Sequence, residues 1–151
     1  VPIFPQKEEG NKEEGDCELT KNQAQEQHIS QVIDAGFHLH KELGPGLLES
    51  VYETILASRL KRIGFQVARQ MPVNITIDGV EFYDAYRVDL FVNGWRVVEI
   101  KALEKLAGVH IRQAQTYVKL LNQPSGLILN FGTETFGQGV RRIHNNRQSQ
   151  S

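Results

Sequence analysis

Tyr86-Arg87-Val88-Asp89-Leu90-Phe91-Val92-Asn93-Gly94-Trp95-Arg96-Val97-Val98-Glu99-Ile100-Lys101 reads as two strands rich in β-branched and aromatic residues, joined at Asn93-Gly94, the strongest short hairpin signal. One strand carries Asp89 and the next carries Glu99 and Lys101. Residues two apart in a strand share a face, so Glu99 and Lys101 point one way while Val98 and Ile100 point the other, into a core. Whether Asp89 joins them depends on register. A two-residue turn pairs Val92 with Trp95 and Val88 with Glu99, which puts the two acids on opposite faces. A three-residue loop, Val92-Asn93-Gly94 with Gly94 left-handed as a bulge, pairs Phe91 with Trp95 and Asp89 with Val97. Glu99 then becomes a same-face diagonal neighbour of Asp89. A bulge between Asp89 and Glu99 is therefore expected.

The pattern on either side of the hairpin predicts the rest of the fold. Ile29, Val32, Ile33, Phe37 and Leu43 follow helical spacing from about Asn22, and Gly44-Pro45-Gly46 stops the run. Leu48, Val51, Tyr52, Ile55, Leu56, Leu60 and Ile63 give a second helix that ends at Gly64. Val73, Ile75 and Ile77 alternate with polar residues before a turn at Asp78-Gly79. After the hairpin, Ile111, Ala114, Val118 and Leu121 mark a helix over about 109–121. Leu127 to Phe131 reads as a buried strand and Val140 to Ile143 as an edge strand. The order is ααβββαββ. It predicts an α/β (α+β sandwich) fold with a central mixed sheet flanked by helices, since the helix after the hairpin can cross over into a parallel strand.

Composition sets the outer limits. With 151 residues, 40% hydrophobic and 23% charged, the chain is sized for one domain. No apolar run approaches the roughly 20 residues that span a bilayer, and no secretory pattern opens the chain, so no membrane association and a cytoplasmic location are expected. Cys17 is the only cysteine and reads as an incidental thiol, which excludes an intrachain disulfide and a cysteine zinc cluster. Residues 1–23 hold three of the 17 basic and six of the 18 acidic residues. They predict a disordered acidic tail ahead of a slightly basic domain over 24–146, with 147–151 a disordered end. Arg59, Lys61, Arg62 and Arg69 form one basic cluster, and Arg141, Arg142 and Arg147 a second. Either could meet phosphates or simply be a solvated face.

Hydrolysing a phosphodiester needs a divalent metal held by carboxylates, an activated water and a cation near the developing charge. Asp89, Glu99 and Lys101 supply those groups, and oxygen ligands suit Mg2+ or Mn2+. An Asp followed by Glu-x-Lys also describes any charged hairpin, so the neighbouring motifs carry the specificity.

Gly46-Leu47-Leu48-Glu49-Ser50-Val51-Tyr52 fits G-x-x-E-x-x-Y. Tyr86-Arg87-Val88-Asp89, Glu99-Ile100-Lys101, a helix with Gln113 and Tyr117, and Gly126-Leu127-Ile128-Leu129-Asn130-Phe131-Gly132 follow in order. Over about residues 25–145 the chain resembles the GxxExxY protein family of the PD-(D/E)xK nuclease-like superfamily. The resemblance implies a restriction-endonuclease-like core and a RecB-type site, in which Glu49, Asp89 and Glu99 bind metal and Lys101 positions or activates water. It also implies that Gln113 and Tyr117, four apart on one helix face, lie beside the site. His110 is a secondary candidate whose ordinary role is a helix cap. The Tyr52 ring is expected to pack while its hydroxyl orients a site group.

The expected activity is a Mg2+- or Mn2+-dependent nuclease acting on nucleic acid, DNA ahead of RNA, with a homodimer allowed. The alternative from another class is a catalytically weak nucleic-acid-binding or protein-interaction module that keeps the fold. Three acids that would repel phosphate argue against that module. Phe82, Tyr83, Tyr86, Phe91 and Trp95 read as hairpin packing residues.

Overall fold

The Asn93-Gly94 hairpin lies at the centre of a five-stranded sheet of order β1-β2-β3-β4-β5. The strands are β1 (Val67–Ile77), β2 (Val80–Val92), β3 (Arg96–Lys101), β4 (Ser125–Asn130) and β5 (Val140–His144). Only β3 and β4 run parallel. Among the described residues four helices accompany them: α1 (Ile3–Leu43), α2 (Glu49–Arg62), α3 (Gly108–Leu120) and α4 (Phe136–Gly139). The mixed sheet with flanking helices is the expected architecture, and α3 is the expected crossover. The short α4 is an addition to the order read from sequence.

This computed structural model describes residues 3–146, with side chains from residue 20 onward. It divides into a unit of residues 1–34 and a unit of residues 35–151. The first is the leading part of α1. Helix α1 begins at Ile3, within residues 1–23. Residues 1–2 and 147–151, expected to be disordered, lie outside the described residues, as does Arg147.

In the second unit, α3 and the sheet enclose a core of Val73, Val88, Val97, Ala114, Tyr117, Val118, Ile128 and Ile143. Helix α2 packs on β1, β2 and β3 and buries Tyr52, Leu56, Ala57 and Leu60. Tyr52 stacks on Phe131 at 4.6 Å. The end of α1 fits closely against α4, because a Cβ at Gly36 would stand 2.5 Å from the Phe136 ring. His40 Nε2 lies 2.9 Å from the Thr133 carbonyl oxygen. Among the described residues no helix is long and apolar enough to cross a membrane.

The central hairpin carries the expected bulge one residue later than expected. Asn93 (φ 54°) and Gly94 (φ 71°) are both left-handed, and Trp95 N–H donates to the Val92 carbonyl, the geometry of a primed two-residue turn. The first strand pair is nevertheless Val92 with Arg96, followed by Phe91 with Val97 and Leu90 with Val98. Trp95 is therefore the extra residue, where Gly94 was expected, and Phe91 pairs with Val97 where Trp95 was expected. The shift is by two, so the register parity is the expected one, although β2 changes face at Asp89. Phe82 and Tyr83, expected to pack within the hairpin, are exposed, because they stand near the far end of the long β1–β2 ribbon.

Candidate active site

Continuing the β2–β3 register sets Asp89 opposite Glu99, but the ladder gives way at that point and the acids replace it. Asp89 N–H donates to Glu99 Oε1 at 3.3 Å, and Asp89 Oδ2 accepts the Ile100 N–H at 2.8 Å. Two main-chain donors are thus satisfied by side-chain carboxyl groups set between the strands. The β1–β2 pairing is interrupted at the same level: Arg69 pairs with Leu90 and Met71 with Val88, with no pair between Gln70 and Asp89. The α3-side core takes Val88 and Phe91 but not Leu90, so the alternation of β2 changes face across Asp89.

Asp89 consequently lines a cleft of about 430 Å³ together with Glu49, Ser50, Glu53, Arg69, Gln70 and Ile100. Glu49, the first residue of α2, stands at this cleft and is exposed; a carboxylate there is favoured by the helix N-terminus. The acid that reaches inward from α2 is Glu53, which is 6% exposed. Its Oε2 accepts from Arg69 at 3.0 Å, while Gln70 Nε2 donates to Glu53 Oε1 at 2.5 Å and to Asp89 Oδ1 at 3.0 Å. Sequence reading missed Glu53 and Gln70. Glu53 had a signal, since it lies four before Ala57 and seven before Leu60 on the apolar face, where an acid needs a partner.

Glu99 is buried, at 5% exposure. Burial first, and then the Asp89 charge, push its carboxyl up to about 8. Lys101 draws it the other way, as a cation near a carboxylate does. Tyr86 and Tyr117 stack face to face at 4.1 Å. Both phenols are raised by burial, with Glu99 contributing to each, and Tyr86 reaches about 12. A hydrogen bond from Gln113 acts on Tyr117 in the opposite sense. Tyr117 on α3 thus feels the Glu99 charge, and Gln113 bonds to Tyr117 on the same helix.

The remaining sequence candidates separate by what their polar atoms touch. The Tyr52 hydroxyl donates to the Gly44 carbonyl at 2.6 Å and accepts from Leu47 N–H at 3.2 Å. It clamps the Gly44-Pro45-Gly46 turn and so fixes where α2 starts; it does not hold a site group, as had been expected. His110 Nδ1 accepts the Ala107 N–H at 3.0 Å, the capping role, which leaves only Nε2 uncommitted to the cap. Lys101 is positioned by Asn130, its partner in β4. The fully buried Asn130 amide accepts from Leu103 N–H and donates to Leu103 O, each at 2.9 Å. The strand end that carries Lys101 is pinned by these two bonds.

Among the described residues, no three acidic, histidine or cysteine side chains converge closely enough to form a metal cage. The donor set still suits a hard divalent cation. Glu53 and Asp89 present oxygens to one point, Glu49 lines the same cleft, and Mg2+ is commonly held by one or two carboxylates with water completing its shell.

The profile of the PD-(D/E)XK nuclease superfamily matches residues 26–143. The chain belongs to this superfamily. No curated protein and no solved structure matches it. The superfamily supports a nuclease-type function and a nucleic-acid partner.

Proposed function

We propose that this PD-(D/E)XK domain, over residues 24–146, is a Mg2+- or Mn2+-dependent nuclease acting on DNA, of the GxxExxY family with a RecB-type site. The observation that carries the reading is the interruption between β2 and β3, where Asp89 replaces a ladder bond and lies between the helix acids and Glu99. Asp89, Glu99 and the α2 acids Glu49 and Glu53 would hold the cation, which when bound polarises the phosphate and activates water. Lys101 supplies positive charge beside Glu99 and orients the attacking water. Gln113 and Tyr117 flank the scissile group from α3, and the Nε2 of His110 stands at the start of the same helix.

Nucleic acid fits the surface that adjoins the acids. Lys61, Arg62 and Arg69 line a cleft of about 450 Å³ with Thr54, Ala57 and Ser58. Arg69 also lines the acidic cleft, so a phosphate backbone held along α2 would lead directly to Asp89. The test is cleavage of a panel of single- and double-stranded DNA and RNA with Mg2+ or Mn2+ by the wild type, Asp89→Ala and Lys101→Ala. Loss of cleavage in both variants supports the reading. Equal residual cleavage in all three identifies a contaminant and favours a binding module.

A further inference from the structure

Gln70 lies in the left-handed region, at φ 48°, inside strand β1, where a glutamine is rarely found and incurs a strain cost. The strain falls opposite Asp89, at the one pair missing between Arg69 with Leu90 and Met71 with Val88. It aims a single amide nitrogen at two carboxylates from different elements, Glu53 Oε1 at 2.5 Å and Asp89 Oδ1 at 3.0 Å. Each acid is also held independently of Gln70, Glu53 by Arg69 and Asp89 by the Ile100 N–H. Two anionic oxygens that converge on one electropositive atom form the arrangement a hard cation takes up. Gln70 is itself exposed, so its amide has a path out to solvent.

We propose that the Gln70 carboxamide is a displaceable stand-in for the divalent cation, bridging Glu53 and Asp89 in its absence and competing for the same oxygens until it swings away. This rests on the metal-dependent reading above and adds a positioning residue that sets how readily the cation enters. Because Arg69 and Ile100 keep the acids in place, removing the competitor strengthens cation binding and leaves the oxygens organised.

The experiment is Mn2+ titration of the full chain by calorimetry, with thermal unfolding in EDTA and in Mn2+, for the wild type, Gln70→Gly and Gln70→Glu. Glycine accepts the left-handed backbone without strain, and Gln70→Gly is expected to bind Mn2+ at least about fivefold more tightly than the wild type. Gln70→Glu puts a third carboxylate where the amide stands, so it is expected to melt lower in EDTA and to show the larger Mn2+-induced rise. If both variants bind Mn2+ no more tightly than the wild type, Gln70 is a structural tie and the proposal falls while metal dependence stands. If none of the three chains, wild type included, binds Mn2+, the metal-dependent reading falls and takes the proposal with it.

Discussion

The carboxylate of Asp89 accepts the main-chain N–H of Ile100 at 2.8 Å, so a strand acid of the proposed site doubles as part of the sheet's hydrogen bonding. Charge and structure can be separated at this position. Asp89→Asn keeps an oxygen for the Ile100 amide and removes the negative charge. It is expected to abolish cleavage and to leave the melting temperature within a few degrees of the wild type. Asp89→Ala leaves that N–H without its acceptor and is expected to cost about 1–3 kcal/mol in addition. Urea unfolding of both variants, run beside the cleavage assay, checks the separation.

Glu99 predicts a pH dependence of stability in the absence of metal. Its folded carboxyl titrates near 8, raised above its ordinary value by burial and by Asp89. A group shifted in this direction contributes stability that is full below its unfolded pKa and is lost as pH rises through its folded pKa. In EDTA the protein is therefore expected to weaken progressively from about pH 4.5 to pH 8. Glu99→Gln imitates the protonated form and removes this slope. The variant is expected to match the wild type near pH 5 and to exceed it by up to about 4 kcal/mol above pH 8. Melts across that range would show no such crossing if Glu99 were exposed.

The two acids of α2 are distinguished by their partners. Glu53 is buried and paired with Arg69 and Gln70, whereas Glu49 is exposed at the helix start. Glu53→Ala is expected to lower stability by about 2–3 kcal/mol, within the range for breaking a buried charged contact. Glu49→Ala is expected to change it by less than about 1 kcal/mol. Both variants are expected to reduce cleavage, which would be measured at a temperature where each remains folded.

Tyr52 provides a test of positioning at a distance. Tyr52→Phe keeps the stacking on Phe131 and removes the clamp on Gly44 and Leu47, at an expected cost of about 1–2 kcal/mol. If the clamp sets the start of α2, the apparent affinity for Mn2+ weakens as well. An unchanged affinity would limit Tyr52 to packing.

The hairpin, its parity and the strand order were legible in the sequence because period-two alternation and Asn93-Gly94 are local signals. The bulge position was not, because Asn93-Gly94 forms a primed turn whether or not Trp95 is inserted after it. The conformation of Gln70 could not be read either, since a positive φ at glutamine is imposed by partners in α2 and β2 that are distant in sequence. Glu53 is not a named position of the G-x-x-E-x-x-Y motif, whose acid is Glu49. The partners of the Tyr52 hydroxyl are in the turn just before its own helix, which the G-x-x-E-x-x-Y spacing alone does not disclose. For Glu53 and Gln70 the local pattern identifies the element, and hydrogen bonds between elements decide the residue's role.

The interrupted ladder between β2 and β3 also gives the protein an internal reporter. The amide protons of Asp89 and Ile100 are each held by a carboxylate of the site, so their solvent exchange and chemical shifts follow whatever those carboxylates bind. Two resonances of the main chain can therefore reveal occupancy of the cleft without a substrate, a label or a completed reaction.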